Sequence, residues 1–517
     1  MADYDIVIIG GSAAGRYAAA IAAKQNATVA LVEREQGAGS RGRELRKLGE
    51  LGKLGESARE NSASVLPHFP HTPHPTPHTL SHIGQLARQW EKMGNFGLHL
   101  SHGNAIDDCQ ISVQWERVMQ WAQSVQSNLE EENSPAVLAA LGVDFILGQG
   151  KFVAQPNLGF IVNNRCLAAR QYLIATNPRP VIPAIEGLVV TGYLTAAEVL
   201  PSLTSPNPPQ RWAILGGAPN GCQLAQTLAR LGLDVTLIVK RPQILPKEDP
   251  EIAQLLQAIL EAEGVRVLTD TTVTQVKGIE GKKWIQADRA AMEFDEIVLC
   301  AGQQPDLEQL NLEAVGVRTQ RRHLRLNQKL QTTNSRIYAC GDAIGGYQFT
   351  HIANYEAKIA LQNALQNALF SSQRQVDYRN IPWLVCTDPP LARVGFTAAQ
   401  ARHKYGNDVL VLQHYFKSLA IAQIRDEMTG ICQLVVRRNG TILGAAIIGS
   451  QAGELINVIA LAIAQKLKIE AIADLVSVYP SWGEILAQTA CEYLSTPLCQ
   501  KNWLQNLLAK IGVGIWG

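Results

Sequence analysis

Two glycine-rich turns, GGSAAG at residues 10–15 and GGAPNG at residues 216–221, each follow a short apolar run and open a helical pattern. Such a turn offers a pyrophosphate backbone N–H donors and the positive end of a helix dipole, and glycine lets the main chain come close. The contacts expected are Gly10, Ser12, Ala14 and Gly15 in the first turn and Gly216, Ala218 and Gly221 in the second. Ser12 and Ala218 replace the middle glycine of GxGxxG, so either copy alone is weak; two copies with correct flanks predict two bound dinucleotides. Glu33 ends a strand about 20 residues past the first turn, where a carboxylate accepts from a ribose hydroxyl. The matching strand of the second unit, residues 235–239, ends without an acid and runs into Lys240-Arg241. A basic pair there neutralises a 2′-phosphate and favours NADPH, with NADH as the other option; charged residues also sit in such turns simply as solvated groups.

The runs at 5–9 and 212–215 read as buried parallel strands, and residues 13–23 as the helix after the first. Short apolar strands recur at 172–176, 297–302 and 337–342, ending in Ala175-Thr176, Gly302 and Gly341-Asp342. A chain of 517 residues, 46% hydrophobic, suits about three domains with proper cores. Net charge of +1, from 46 basic and 45 acidic residues, gives no case for a nucleic-acid partner. No uninterrupted apolar run reaches 18 residues, and the start runs straight into a strand without a leader pattern, so the chain reads as cytoplasmic. Nine scattered cysteines without a CxxC read as buried small hydrophobes rather than disulfides or ligands.

The order of these turns and strands resembles the class I pyridine nucleotide-disulfide oxidoreductases, the flavoprotein reductases that include dihydrolipoamide dehydrogenase and mercuric reductase. The resemblance implies an α/β chain with two Rossmann-like dinucleotide-binding domains, glutathione-reductase-like, plus an α+β C-terminal dimerisation domain. It implies FAD on the first turn, with Gly341-Asp342 as the second flavin motif, Asp342 accepting from a ribityl hydroxyl and the helix near Thr350 aimed at the isoalloxazine. The plainer reading of Asp342 is an N-cap or turn residue. Gly150, in a GQG turn, would face adenine, and the family's ATG becomes Ala175-Thr176-Asn177, where asparagine tolerates a positive φ.

The chain departs from the family where the redox chemistry belongs. The GGTCxxxxC segment aligns without a gap on Ala38-Gly39-Ser40-Arg41 and then Arg46, so arginine stands at both cysteine positions; Gly39 and Ser40 keep their places beside the flavin. Without a thiolate there is no flavin adduct and no disulfide exchange by the family's route. The motif's lysine is Glu50, and the glutamate expected two residues after the second turn is Gln223, as if an ion pair had been dropped; the aromatic gate within the turn is Pro219. Arg41 and Arg46 either stabilise reduced anionic flavin and draw an anionic acceptor, or form a solvated helix face. The family's His-Pro and glutamate become Tyr479-Pro480 and Glu484. Tyr479, a poor base at neutral pH, is either catalytic across a two-fold axis with Glu484 or a packed interface aromatic.

The expected division is a flavin domain, 1–188, with an insertion at about 47–110, a nicotinamide domain, 189–305, a second flavin segment, 306–375, an interface domain, 376–496, and an amphipathic tail, 497–517. Within the insertion, histidines 68, 71, 74, 78 and 82 alternate with prolines, which favours extended or polyproline-like chain over a metal site. The tail either packs on its own dimer or makes a peripheral membrane contact. The expected function is an FAD-dependent NAD(P)H oxidoreductase, a homodimer, passing electrons directly to a quinone, small oxidant or protein. The competing reading is a flavin-binding scaffold or redox sensor with a decayed nicotinamide site.

Overall fold

A computed structural model describes residues 2–34, 75–92, 113–205, 208–288, 290–365 and 373–495. Gly39, Ser40, Arg41, Arg46, most of the insertion and the C-terminal tail lie outside them. The chain forms two compact units, one of residues 1–75, 123–181 and 303–376, the other of residues 76–122, 182–302 and 377–517.

In the first unit five parallel strands run in the order Ile337–Ala339, Ala169–Ile174, Tyr4–Ile9, Val29–Glu33, Asp144–Leu147. The central strand Tyr4–Ile9 shows why: Ile6 and Ile8 enter one hydrophobic cluster and Val7 and Ile9 another, all at most 3% exposed, so both faces are covered. Full burial of each such side chain contributes about 1.5–3 kcal/mol. The alanine-rich helix Ala13–Lys24 lies on one face beside the helix Thr350–Leu365, its small side chains permitting close approach. An antiparallel three-stranded sheet begins at the strand Gly150–Val153.

The second unit repeats the pattern with parallel strands in the order Arg266–Leu268, Asp234–Ile238, Arg211–Leu215, Glu296–Leu299, Leu194–Thr195. Its dinucleotide helix is Pro219–Arg230. The same unit carries a five-stranded antiparallel sheet from Trp383–Val385 to Val409–Tyr415, backed by the helices Ala452–Ala464 and Glu484–Leu494, which is the expected α+β part. Arg393 ties the two layers through Glu248, at 2.6 Å, and Asp249, at 3.2 Å, with all three side chains buried. Among the described residues no helix is long and apolar enough to cross a membrane.

One expectation fails. The proline-rich stretch is not extended throughout, because from Pro75 it forms the helix Pro75–Lys92, with Thr79, Leu80 and Ser81 buried. Pro75 and Pro77 occupy the first turn, where a missing N–H costs nothing and a fixed φ suits the helix. Leu80 and Ile83 then supply an apolar face that packs with Val118 and Ala122 of the helix Trp115–Glu131. His68, His71 and His74 lie outside the described residues; His78 and His82 are helical.

Candidate functional site

The first turn is built by contacts that admit no side chain. At Gly10, with φ at +114°, a Cβ would collide with the carbonyl of Ala175, and at Gly15 with the carbonyl of Gly10. Ser12 caps the helix, its Oγ accepting from the Gly15 N–H at 3.2 Å. Ala14 is in contact range of Gly341, and a Cβ at Gly341 would stand 3.2 Å from both Ala14 and Ala353. The ends of three strands and the start of the helix Thr350–Leu365 therefore converge, as the sequence requires.

Glu33 lies where expected, but it has a partner that the sequence reading missed. Arg16 Nη2 lies 3.0 Å from its Oε1 and 2.9 Å from its Oε2, with Arg16 3% and Glu33 5% exposed. Arg16 Nε also donates to the Gly11 carbonyl at 3.2 Å and Nη1 to that of Asn133 at 3.4 Å. Gly11 is obligatory beneath the pair, because a Cβ there would strike the Glu33 carboxylate. The signal was a lone arginine in the first turn of an alanine helix, 17 residues before a strand-end acid.

Several buried polar atoms lie around this point. Thr176 Oγ1, Asn177 Oδ1 and Asn354 Oδ1 are buried with no hydrogen-bond partner among the described residues, and burial pushes the Asp342 carboxyl up to about 6. A set of unsatisfied acceptors beside a glycine turn fits the hydroxyl-rich ribityl and pyrophosphate parts of FAD. A cleft beside the turn is lined by Gly10, Arg34, Gly148, Gln149, Gly150 and Thr176. Asp342 does not cap the turn Gly341–Ile344, where Cys340 is the cap residue. The Gly341 N–H instead donates to the buried Glu356 carboxylate at 2.8 Å.

Asn177 corrects a detail, since it is absent from the residues with positive φ. Pro178 follows it, and the residue before a proline is held in the extended region. The turn survives by that route.

The second turn repeats the steric logic. Gly216 has φ at +119° and would collide with the Cys300 carbonyl if substituted; Gly221 would collide with the Gly216 carbonyl. Ala218 occupies the N-cap, where its methyl can make no capping hydrogen bond, and Pro219 starts the helix. Lys240 and Arg241 are exposed just beyond the strand Asp234–Ile238, and Gly302 is exposed with φ at +108°. Gln223 is buried, with its Nε2 lying 3.3 Å from His78 Nδ1, so a neutral contact stands where none was foreseen.

Tyr479 is 74% exposed, and the neighbouring Val476 and Val478 are exposed too, so it has no packed position among the described residues. Glu484 Oε1 accepts from the Ser481 N–H at 2.8 Å, closing the start of the helix Glu484–Leu494. Among the described cysteines, burial raises the thiols of Cys300 and Cys432 to about 12 and pushes up those of Cys222, Cys340 and Cys386. Among the described residues no group of three or more His, Cys, Asp or Glu could hold a metal ion.

The profile of the pyridine nucleotide-disulphide oxidoreductases matches residues 4–357, and that of their dimerisation domain residues 381–490. Mercuric reductase of Staphylococcus aureus is 30% identical over 499 residues, covering 95% of this chain and 82% of that protein. RclA of Escherichia coli, a probable pyridine nucleotide-disulfide oxidoreductase, is 27% identical over 385 residues, covering 74% of this chain and 86% of that protein. The solved Cu(II) complex of RclA, described as an HOCl-induced flavoprotein disulfide reductase, superposes with a TM-score of 0.76 at 25% identity, covering 95% of this chain and 100% of that one.

Proposed function

The chain belongs to the pyridine nucleotide-disulphide oxidoreductase family, and on that premise we propose that it is an FAD-dependent NAD(P)H oxidoreductase whose acceptor is not a disulfide. The observation that carries this reading is arginine at both dithiol positions, Arg41 and Arg46. The buried thiols support it, because a buried thiol whose ionisation is suppressed is neither nucleophile nor relay; Cys166 and Cys491 are exposed, against the expectation of buried cysteines, and alkylation tests them.

FAD, when bound, supplies the acceptance of a hydride from reduced nicotinamide and the release of two electrons to an acceptor such as a quinone, which leaves as hydroquinone after gaining two protons. The residues divide the holding of it. Backbone N–H groups of the Gly10–Gly15 turn meet the pyrophosphate, Glu33 accepts from the adenosine ribose, and Gly150 borders the adenine cleft. Asp342, Thr176 and Asn354 satisfy ribityl hydroxyls and polar edges. In the second unit, Gly216, Ala218 and Gly221 take the nicotinamide dinucleotide, and the exposed Lys240 and Arg241 favour the 2′-phosphate of NADPH.

A second copy of the chain fits the exposed patch of Leu475, Val476, Val478 and Tyr479. The reading places Tyr479 and Glu484 of that patch at the partner's site. Mercuric reductase and RclA bear names that tie them to a metal ion or a disulfide, so Hg(II), Cu(II) and disulfides belong in the test as substrates. The purified protein, loaded with FAD and given NADPH, is to be offered quinones, ferricyanide, those ions and disulfides, with and without iodoacetamide. Turnover of quinones or ferricyanide that survives alkylation supports the proposal; turnover confined to disulfides and abolished by alkylation contradicts it.

A further inference from the structure

We infer that His78 is a positioning residue of the nicotinamide site, acting through Gln223; this deepens the reading of the second glycine turn and rests on it. Gln223 stands two residues beyond Gly221 on the helix Pro219–Arg230 and is 6% exposed, so its carboxamide must be satisfied by protein groups. His78 Nδ1 meets its Nε2 at 3.3 Å, the imidazole reaching in from an exposed position on the first turn of the helix Pro75–Lys92.

The contact belongs to a docked helix. Gly84 gives the close approach, since a Cβ there would stand 3.5 Å from Arg230 Cβ and 3.6 Å from the Thr227 carbonyl oxygen. Ser81 Oγ donates to the Cys386 carbonyl at 3.0 Å. Gln223, Thr227 and Arg230 recur at the spacing of one helix face, so the two helices meet along that face with His78 at the end nearest the Gly216–Gly221 turn.

A dinucleotide places its pyrophosphate at that helix start, and Gln223 lies in the opening turns of the same helix, close behind it. The orientation of the Gln223 carboxamide is therefore part of the binding surface, and the imidazole sets it. A histidine from the proline-rich stretch becomes a determinant of reduced-nicotinamide affinity. It touches neither flavin nor reacting atoms in this account.

The test is NADPH affinity of the FAD-loaded protein, measured by calorimetry, for His78→Ala, Gln223→Leu, the double variant, and His78→Lys combined with Gln223→Glu. Loss of one hydrogen bond that orients a buried amide predicts about three- to tenfold weaker binding in each single variant, with visible spectrum and FAD content unchanged. The double variant should be no weaker than Gln223→Leu alone, because the imidazole acts only through that carboxamide. The charged pair should restore binding, which a loss of general helix packing would not allow. If His78→Ala fails to fold, His78→Gln carries the test: affinity within about twofold of wild type supports the inference and a loss of about tenfold or more overturns it. Wild-type affinity in His78→Ala, or additive losses, overturns the inference alone. A wild-type protein that binds no NADPH overturns the nicotinamide reading and the inference together.

Discussion

Arg16 grips Glu33 through one guanidinium nitrogen, Nη2, at 3.0 and 2.9 Å from the two carboxylate oxygens, and the pair is shut in beneath Gly11. The acid assigned to the ribose is thus charge-balanced within its own βαβ unit. Arg16→Met strands a buried carboxylate and should cost about 3–5 kcal/mol of unfolding free energy. Arg16→Met with Glu33→Met should recover much of that stability while still failing to hold FAD. Denaturant unfolding alongside flavin content of the purified variants checks both halves.

Asp342 makes the FAD-depleted protein sensitive to pH. Burial lifts its carboxyl from 3.8 to about 6, so the native state holds a proton that the unfolded chain has lost. Its stabilising contribution is complete below pH 4 and falls as pH rises through 6, by up to about 3 kcal/mol. Asp342→Asn should flatten that slope, raise the stability of the apoprotein at pH 7, and weaken FAD binding by replacing a charged acceptor with a neutral amide that has one acceptor oxygen. Apoprotein melting from pH 4 to 8 reads the first two, and flavin titration the third.

The two glycine turns should separate by phenotype. Gly10→Ala and Gly216→Ala each force a Cβ into a carbonyl at a positive φ. Gly10→Ala should yield colourless protein. Gly216→Ala, provided circular dichroism shows it folded, should remain yellow yet resist bleaching by NADPH. Absorbance at purification and after anaerobic NADPH addition distinguishes them.

Lys240 and Arg241 are exposed, so their effect should fall on the 2′-phosphate alone. Replacing both with alanine should raise KM for NADPH about tenfold or more, from the loss of charge-assisted hydrogen bonds, and leave KM for NADH within about twofold. Steady-state kinetics with the two nucleotides provides the check.

The sequence displayed the scaffold well because its signals are local. Ile6 to Ile9 are apolar without alternation, as a strand covered on both faces must be, and the turns follow directly. It hid whatever depended on a distant partner. Arg16 had no visible reason to sit in an alanine helix until Glu33 folded against it, and Gln223 looked partnerless because His78 was hidden among prolines that mimic an extended chain. Those prolines sit in the first helical turn, where their usual effect is suspended. Asn177 was misjudged from its own preference, when the next residue, Pro178, decides its φ.

The central claim is that electrons pass through this protein without a sulfur relay, and counting them tests it. One NADPH delivers one hydride, hence two electrons, which is all that FAD alone accepts. Anaerobic titration of the yellow protein with NADPH should bleach the flavin completely at about one equivalent per FAD, with no change in titratable thiols. A requirement for about two equivalents, with two new thiols appearing, would reveal a hidden dithiol and contradict the account.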